Sequence, residues 1–126
     1  MDGTPQALKG IRIIDLSMGW AGPLACRHMA DMGADVIKIE QAGTGDPGRY
    51  LIAAGGQSTE DKPNWYFEAN NRNKRSITLD LKQPEALEVV LALAAESDVF
   101  IQNFRQGVAD RLGIGYEALR AVNPKL

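Results

Sequence analysis

The residues that staple or metallate small proteins are nearly missing: 126 residues include one cysteine, Cys26, and one histidine, His28. A lone cysteine excludes an internal disulfide, and with a single histidine it leaves no ligand set for an internal zinc cage. Long apolar runs are missing too, each falling far short of the roughly 20 residues that cross a bilayer. The opening Met1-Asp2-Gly3-Thr4-Pro5 lacks the basic and apolar regions of a secretory signal, so the expected compartment is the cytoplasm. Neither sign of charge prevails: 14 Lys and Arg stand against 16 Asp and Glu, a net charge of -2. That balance argues against nucleic acid as a main partner. No Pro/Gly/Ser-rich linker, repeat or low-complexity stretch divides the chain, which predicts one domain over residues 1–126.

What is present is an alternation of short strands and helices. Ile11-Arg12-Ile13-Ile14-Asp15-Leu16 is a β-branched apolar run, and the stretch Ser17 to Pro23 with Gly19 and Gly22 is its turn. From Leu24 to Met32, the apolar Ala25, Met29 and Met32 recur at helical spacing, and Gly33 stands where a left-handed cap is expected. Asp35 to Glu40 reads as the next strand, giving a strand-helix-strand unit with the arithmetic of a right-handed parallel crossover. Gln41 to Asn64 is rich in Gly and Pro and predicts a long excursion, a feature often tied to function in compact domains.

After the basic cluster Asn70 to Arg75, Ser76 to Leu81 alternates Ile77, Leu79 and Leu81 with polar neighbours, which predicts a half-exposed or edge strand. Pro84 suits the first turn of a helix running to Glu96 with Leu87, Val90, Leu91 and Ala94 on one face. Asp98 to Ile101 is a further strand, followed by two short helices, Gly107 to Leu112 and Tyr116 to Val122. The fold class predicted is α/β: a Rossmann-like open, mainly parallel sheet with helices on both faces. Such sheets bind ligands at the carboxyl ends of their strands, here the loops after Leu16, Glu40, Leu81 and Ile101. Because the chain stops after Asn123-Pro124-Lys125-Leu126, where a further strand is expected, it reads as the amino-terminal portion of a longer domain.

Five features bear on chemistry, each with two readings. The loop Ser17 to Pro23 is either a phosphate-binding turn at a helix amino terminus or a tight turn whose glycines let helix pack on strand. Its spacing does not match G-x-G-x-x-G. Glu40 is either a ribose ligand or an exposed acidic strand end, and Arg72, Lys74 and Arg75 are either a polyanion site or solvated loop surface. Cys26 and His28 have no partner pattern for nucleophilic catalysis and read as packing or surface residues. Asn103-Phe104-Arg105 places an amide, a ring and a cation at a ligand-facing edge, or else is a helix-entry loop with Phe104 as a core plug.

Several blocks in order resemble class III CoA-transferases: Leu8 to Ser17, Ala21-Gly22-Pro23, Met32 to Glu40, Gly45-Asp46-Pro47, Asn73 to Lys82, Asp98 to Arg105, Arg111-Leu112-Gly113 and Asn123 to Leu126. That family includes formyl-CoA and carnitine-CoA transferases and α-methylacyl-CoA racemases, and its members form interlocked homodimers. The resemblance implies acyl-CoA and a carboxylic acid acceptor as substrates, with no permanently bound cofactor. It implies contacts to coenzyme A from Trp20 and Ala21 near the thioester and from Leu79, Asp80, Leu81 and Lys82 along the cleft. Asn103, Phe104 and Arg105 fall at the nucleotide edge, and Arg111 near the adenosine phosphate.

Gln41 departs from an arginine of well-known members, and Met18-Gly19-Trp20 lies where members vary with substrate. In the transferases an aspartate attacks the thioester to form an acyl anhydride, which CoA then opens; in the racemases a histidine and an aspartate exchange the α-proton. Both sets follow the Asn-Pro-Lys-Leu motif, so no catalytic residue is expected within this chain and the chain alone is expected to be inactive. Alternatives are the racemase, a non-catalytic CoA-binding module or subunit, and a dinucleotide-binding protein without the glycine fingerprint.

Overall fold

A computed structural model describes residues 6–51, 53–54, 57–58 and 64–126. Four parallel strands form the central sheet: β1 (Arg12–Asp15), β2 (Asp35–Gln41), β5 (Arg75–Leu79) and β6 (Val99–Ile101), in the order β5-β2-β1-β6. A small antiparallel pair, β3 (Ala53–Ala54) and β4 (Gln57–Ser58), lies within the excursion after β2. β1 leads through helix α1 (Ala21–Asp31) to its neighbour β2, and β2 leads onward to β5. The chain then crosses back through helix α3 (Pro84–Ala95) to β6 on the far side of β1. The direction of travel thus reverses between β1 and β6, and their carboxyl ends diverge there to open a crevice.

Pairing Ile13 with Val36 and Ile14 with Ile37 puts alternate residues of neighbouring strands on common faces. On one face Ile13 and Val36 pack with Cys26, Ala30 and Ala34, which seats α1 there. On the other, Ile14, Leu16, Ile37 and Ile39 pack with Val90 of α3 and with Ile114. Full burial of Ile13 and Ile14 contributes about 2–3 kcal/mol each. Helix α5 (Tyr116–Val122) packs on α3, and the single turn α4 (Val108–Arg111) precedes it. Helices therefore cover both faces of an open parallel sheet, as the alternation predicts. Among the described residues no helix is long and apolar enough to cross a membrane.

The differences from expectation have local causes. α1 begins at Ala21, three residues before the predicted Leu24, because Pro23 is tolerated in a first turn that needs no N–H from it. Gly33 does adopt a positive φ of 98°, ending α1. β5 is an edge strand as expected, but it stops at Leu79 rather than Leu81. There the Asp80 carboxylate accepts the Lys82 N–H at 3.1 Å and turns the chain out of the sheet. Helix α2 (Trp65–Asn71) was not predicted; the Asn64 side chain caps it by accepting the Phe67 N–H at 3.1 Å. The excursion also holds a 3-10 turn, Pro47–Tyr50.

Candidate functional site

All four loops singled out by the sheet topology meet at one cavity of about 400 Å³ at the carboxyl edge of the sheet. Ser17 and Met18 come from the loop after β1, Gln41 from the end of β2 and the segment Thr44 to Pro47 from the loop after it, Leu81 and Lys82 from beyond β5, and Phe104 from beyond β6. Val108 and Leu112 close the side nearest α4. Leu16, Ile39, Leu81, Phe104 and Leu112 belong to or pack on the hydrophobic core and continue it as an apolar wall. A cavity of this size with an apolar wall and a few polar groups is the usual form of a small-molecule site.

Beneath the wall runs a network of buried charges. The Lys74 side chain is only 2% exposed. Its Nζ donates at 2.8 Å to Asp15 Oδ2, to the Pro23 carbonyl and to Asn71 Oδ1. Asp15 Oδ1 accepts the Ser17 N–H at 3.0 Å and the Ser17 hydroxyl. Lys38 is equally enclosed; it donates to the Ser17 carbonyl at 3.0 Å and stands 2.9 Å from Asp46 Oδ2, an ion pair not aligned as a hydrogen bond.

Asp46 Oδ1 accepts N–H groups from Gly48 at 2.7 Å and Gly19 at 3.2 Å. Glu40 takes a two-pronged Arg49 guanidinium at 2.8 Å for each bond and the Asp46 N–H at 2.9 Å, while Arg49 lies over the Phe67 ring at 3.7 Å. The Arg49 hydrogen bonds, helped by the Asp46 N–H, hold the Glu40 carboxyl below the usual carboxylate range. Burial lowers the Lys74 ammonium, against the pull of Asp15, and raises the neighbouring Cys26 thiol to about 12.

Asp15 and Glu40 are therefore engaged by cations and N–H groups, whereas Asp46 keeps one oxygen, Oδ2, that faces Lys38 without a hydrogen bond. Among the described residues no group of His, Cys, Asp and Glu is arranged to hold a metal ion.

The structure brings Leu81, Lys82 and Phe104 together at the cavity and spreads the other sequence-predicted residues around it. Leu79 packs in the core beneath, and Asp80 braces the turn by accepting from Lys82 N–H, Gln41 and Gln83. Arg111 lies in a shallow groove that shares Leu81, Lys82 and Leu112 with the cavity, and Arg105 borders a second hollow that shares Phe104. Trp20, 63% exposed, and Ala21 stand outside the cavity lining. Asn103 hydrogen-bonds to the Met18 main chain.

The basic cluster divides between surface and interior, with Arg72 and Arg75 exposed and the Lys74 side chain enclosed. Arg72 pairs with Asp31, Arg75 with Asp35, and Lys74 is buried. Glu40 is neither a free ribose ligand nor an exposed strand end, being buried against Arg49. Lys38 and Asp46 escaped the sequence reading. For Lys38 the signal was a lysine flanked by Val36, Ile37 and Ile39 in a strand with both faces covered, a place where a cation needs a buried partner.

Residues 8–126 match the family model of CoA-transferase family III. The chain belongs to that family. It is 46% identical, over 96% of its length, to a formyl-CoA:oxalate CoA-transferase of Afipia carboxidovorans, and 44% identical over its whole length to a succinate–glutarate CoA-transferase of Agrobacterium fabrum. It spans 28% and 32% of those two relatives, respectively. Among solved structures, a CAIB/BAIF family protein from Brucella suis superposes with a TM-score of 0.85 at 40% identity. That superposition covers 98% of this chain and 32% of the other. The α/β architecture and the resemblance drawn from the ordered motifs are both borne out.

Proposed function

We propose that this chain is the coenzyme A-binding, amino-terminal portion of a cytoplasmic CoA-transferase that moves CoA between carboxylic acids. The observation that carries the reading is the meeting of Leu81, Lys82 and Phe104 at one apolar-walled cavity, with Arg111 in the groove beside it. Coenzyme A asks for both halves of that arrangement: an apolar channel for its pantetheine arm and cations for its phosphates. Lys82 lines both the cavity and the groove, so one cation serves both halves. Phe104 offers a ring edge to the nucleotide, and Trp20 and Ala21 sit at the acyl end.

In this mechanism an aspartate attacks the donor thioester carbon, the C–S bond breaks, and CoA leaves as a thiolate. The thiolate then attacks the aspartyl carbonyl of the resulting anhydride, releasing the donor acid and leaving an aspartyl-CoA thioester. The acceptor carboxylate displaces CoA from it, and CoA finally attacks the acceptor acyl carbon of this second anhydride, giving the new acyl-CoA and the free aspartate. The engagement of Asp15 and Glu40 by cations and N–H groups supports the view that the attacking carboxylate is neither of these. The names of the relatives, all transferases among those compared, favour transfer over racemisation. Titration calorimetry tests the binding claim: micromolar to millimolar affinity for CoA, with weaker binding of NAD, is expected. Equal or stronger binding of NAD would end the reading.

A further inference from the structure

The side chain of Asn103 has both of its polar ends engaged on one residue. Its Oδ1 accepts the Met18 N–H at 2.9 Å and its Nδ2 donates to the Met18 carbonyl at 2.8 Å. The two residues lie just past the point where β1 and β6 part. The last main-chain bond between those strands runs from Leu16 N–H to the Ile101 carbonyl at 2.8 Å. The Asn103 carboxamide thus takes the place of the next ladder step after the strands have diverged, presenting a peptide-like donor and acceptor to the loop.

From the opposite side the same loop is held by buried charges: the Ser17 carbonyl accepts from Lys38 and the Gly19 N–H donates to Asp46. Met18, between them, lines the cavity. Without Asn103 the loop keeps its β2 side and loses its β6 side.

We propose that Asn103 is a positioning residue, which fixes the Met18 wall of the cavity by spanning the crevice between β1 and β6 instead of offering its amide to the nucleotide. The proposal rests on reading the cavity as the coenzyme A site, and its test separates the two. Asn103 is exposed, so its replacement leaves the core intact. Amide hydrogen exchange at Met18 is measured in the intact, ligand-free protein and in Asn103→Ala and Asn103→Asp, alongside CoA dissociation constants.

Exchange at Met18 is expected to quicken in Asn103→Ala and to be partly restored in Asn103→Asp, whose carboxylate still accepts the Met18 N–H. CoA affinity is expected to fall by roughly three- to tenfold in Asn103→Ala, as when one or two neutral hydrogen bonds are lost. Unchanged Met18 exchange with weakened CoA binding would overturn the brace and leave Asn103 touching the nucleotide directly. Faster exchange with unchanged CoA affinity would overturn its positioning role. Faster exchange in a protein whose unaltered form ignores CoA would uphold the brace and sink the coenzyme A reading instead.

Discussion

Lys74 is enclosed by three oxygens at 2.8 Å, one of them from the fully buried Asp15. Lys74→Ala removes the nearer of the two cations facing that carboxylate and leaves Lys38 at 4.0 Å, and a loss of about 3 kcal/mol in urea-monitored stability is expected. The Glu40–Arg49 pair gives a pH dependence. Glu40 titrates below its ordinary value when folded, so its contribution is present above the usual carboxylate range and disappears as pH falls through the folded value. Arg49→Leu should therefore flatten the acid limb of a stability-against-pH curve; an unchanged limb would remove Glu40 from that role. Cys26, wholly buried with its thiol raised to about 12, is expected to resist alkylation at neutral pH until the protein unfolds. At the proposed site, Arg111→Ala should weaken CoA binding by an amount of order 1–3 kcal/mol, and an unchanged dissociation constant would take Arg111 out of it.

Among the elements, α1 depends on Gly22, where an added Cβ would stand 2.4 Å from the Ser17 Cβ. Gly22→Ala is expected to cost about 1–3 kcal/mol by thermal melting, through overpacking between the helix and the loop it leaves. This favours the close-packing reading of the Ser17 to Pro23 glycines at that position. The sheet strands were legible because alternation and apolar runs are local signals, and α3 because Pro84 and a four-residue apolar spacing mark it. α2 was not legible: seven residues with three adjacent aromatics at its start carry little helical periodicity. Its identity lies in Asn64, which caps the helix and also donates to the Gly48 and Arg49 carbonyls at 2.8 and 3.0 Å. Those partners sit more than a dozen residues upstream, beyond the reach of any local pattern.

On the scale of the whole molecule, the chain accounts for roughly a third of the relatives it matches. Purified as these 126 residues, it is expected to bind CoA without transferring acyl groups, and measured acyl transfer from a CoA thioester would overturn that division of labour. The sequence by itself determined the alternation of strands and helices, the family, and the four loops around the cavity, since periodicity and turn chemistry act over a few neighbours. Only the tertiary structure decided what the charges do. The order β5-β2-β1-β6 brings Lys38 and Lys74 to Asp15, and Asn103 to Met18. A buried cation's partner, or a carboxamide's, is chosen by strands distant in sequence, and no local stretch of residues encodes that choice.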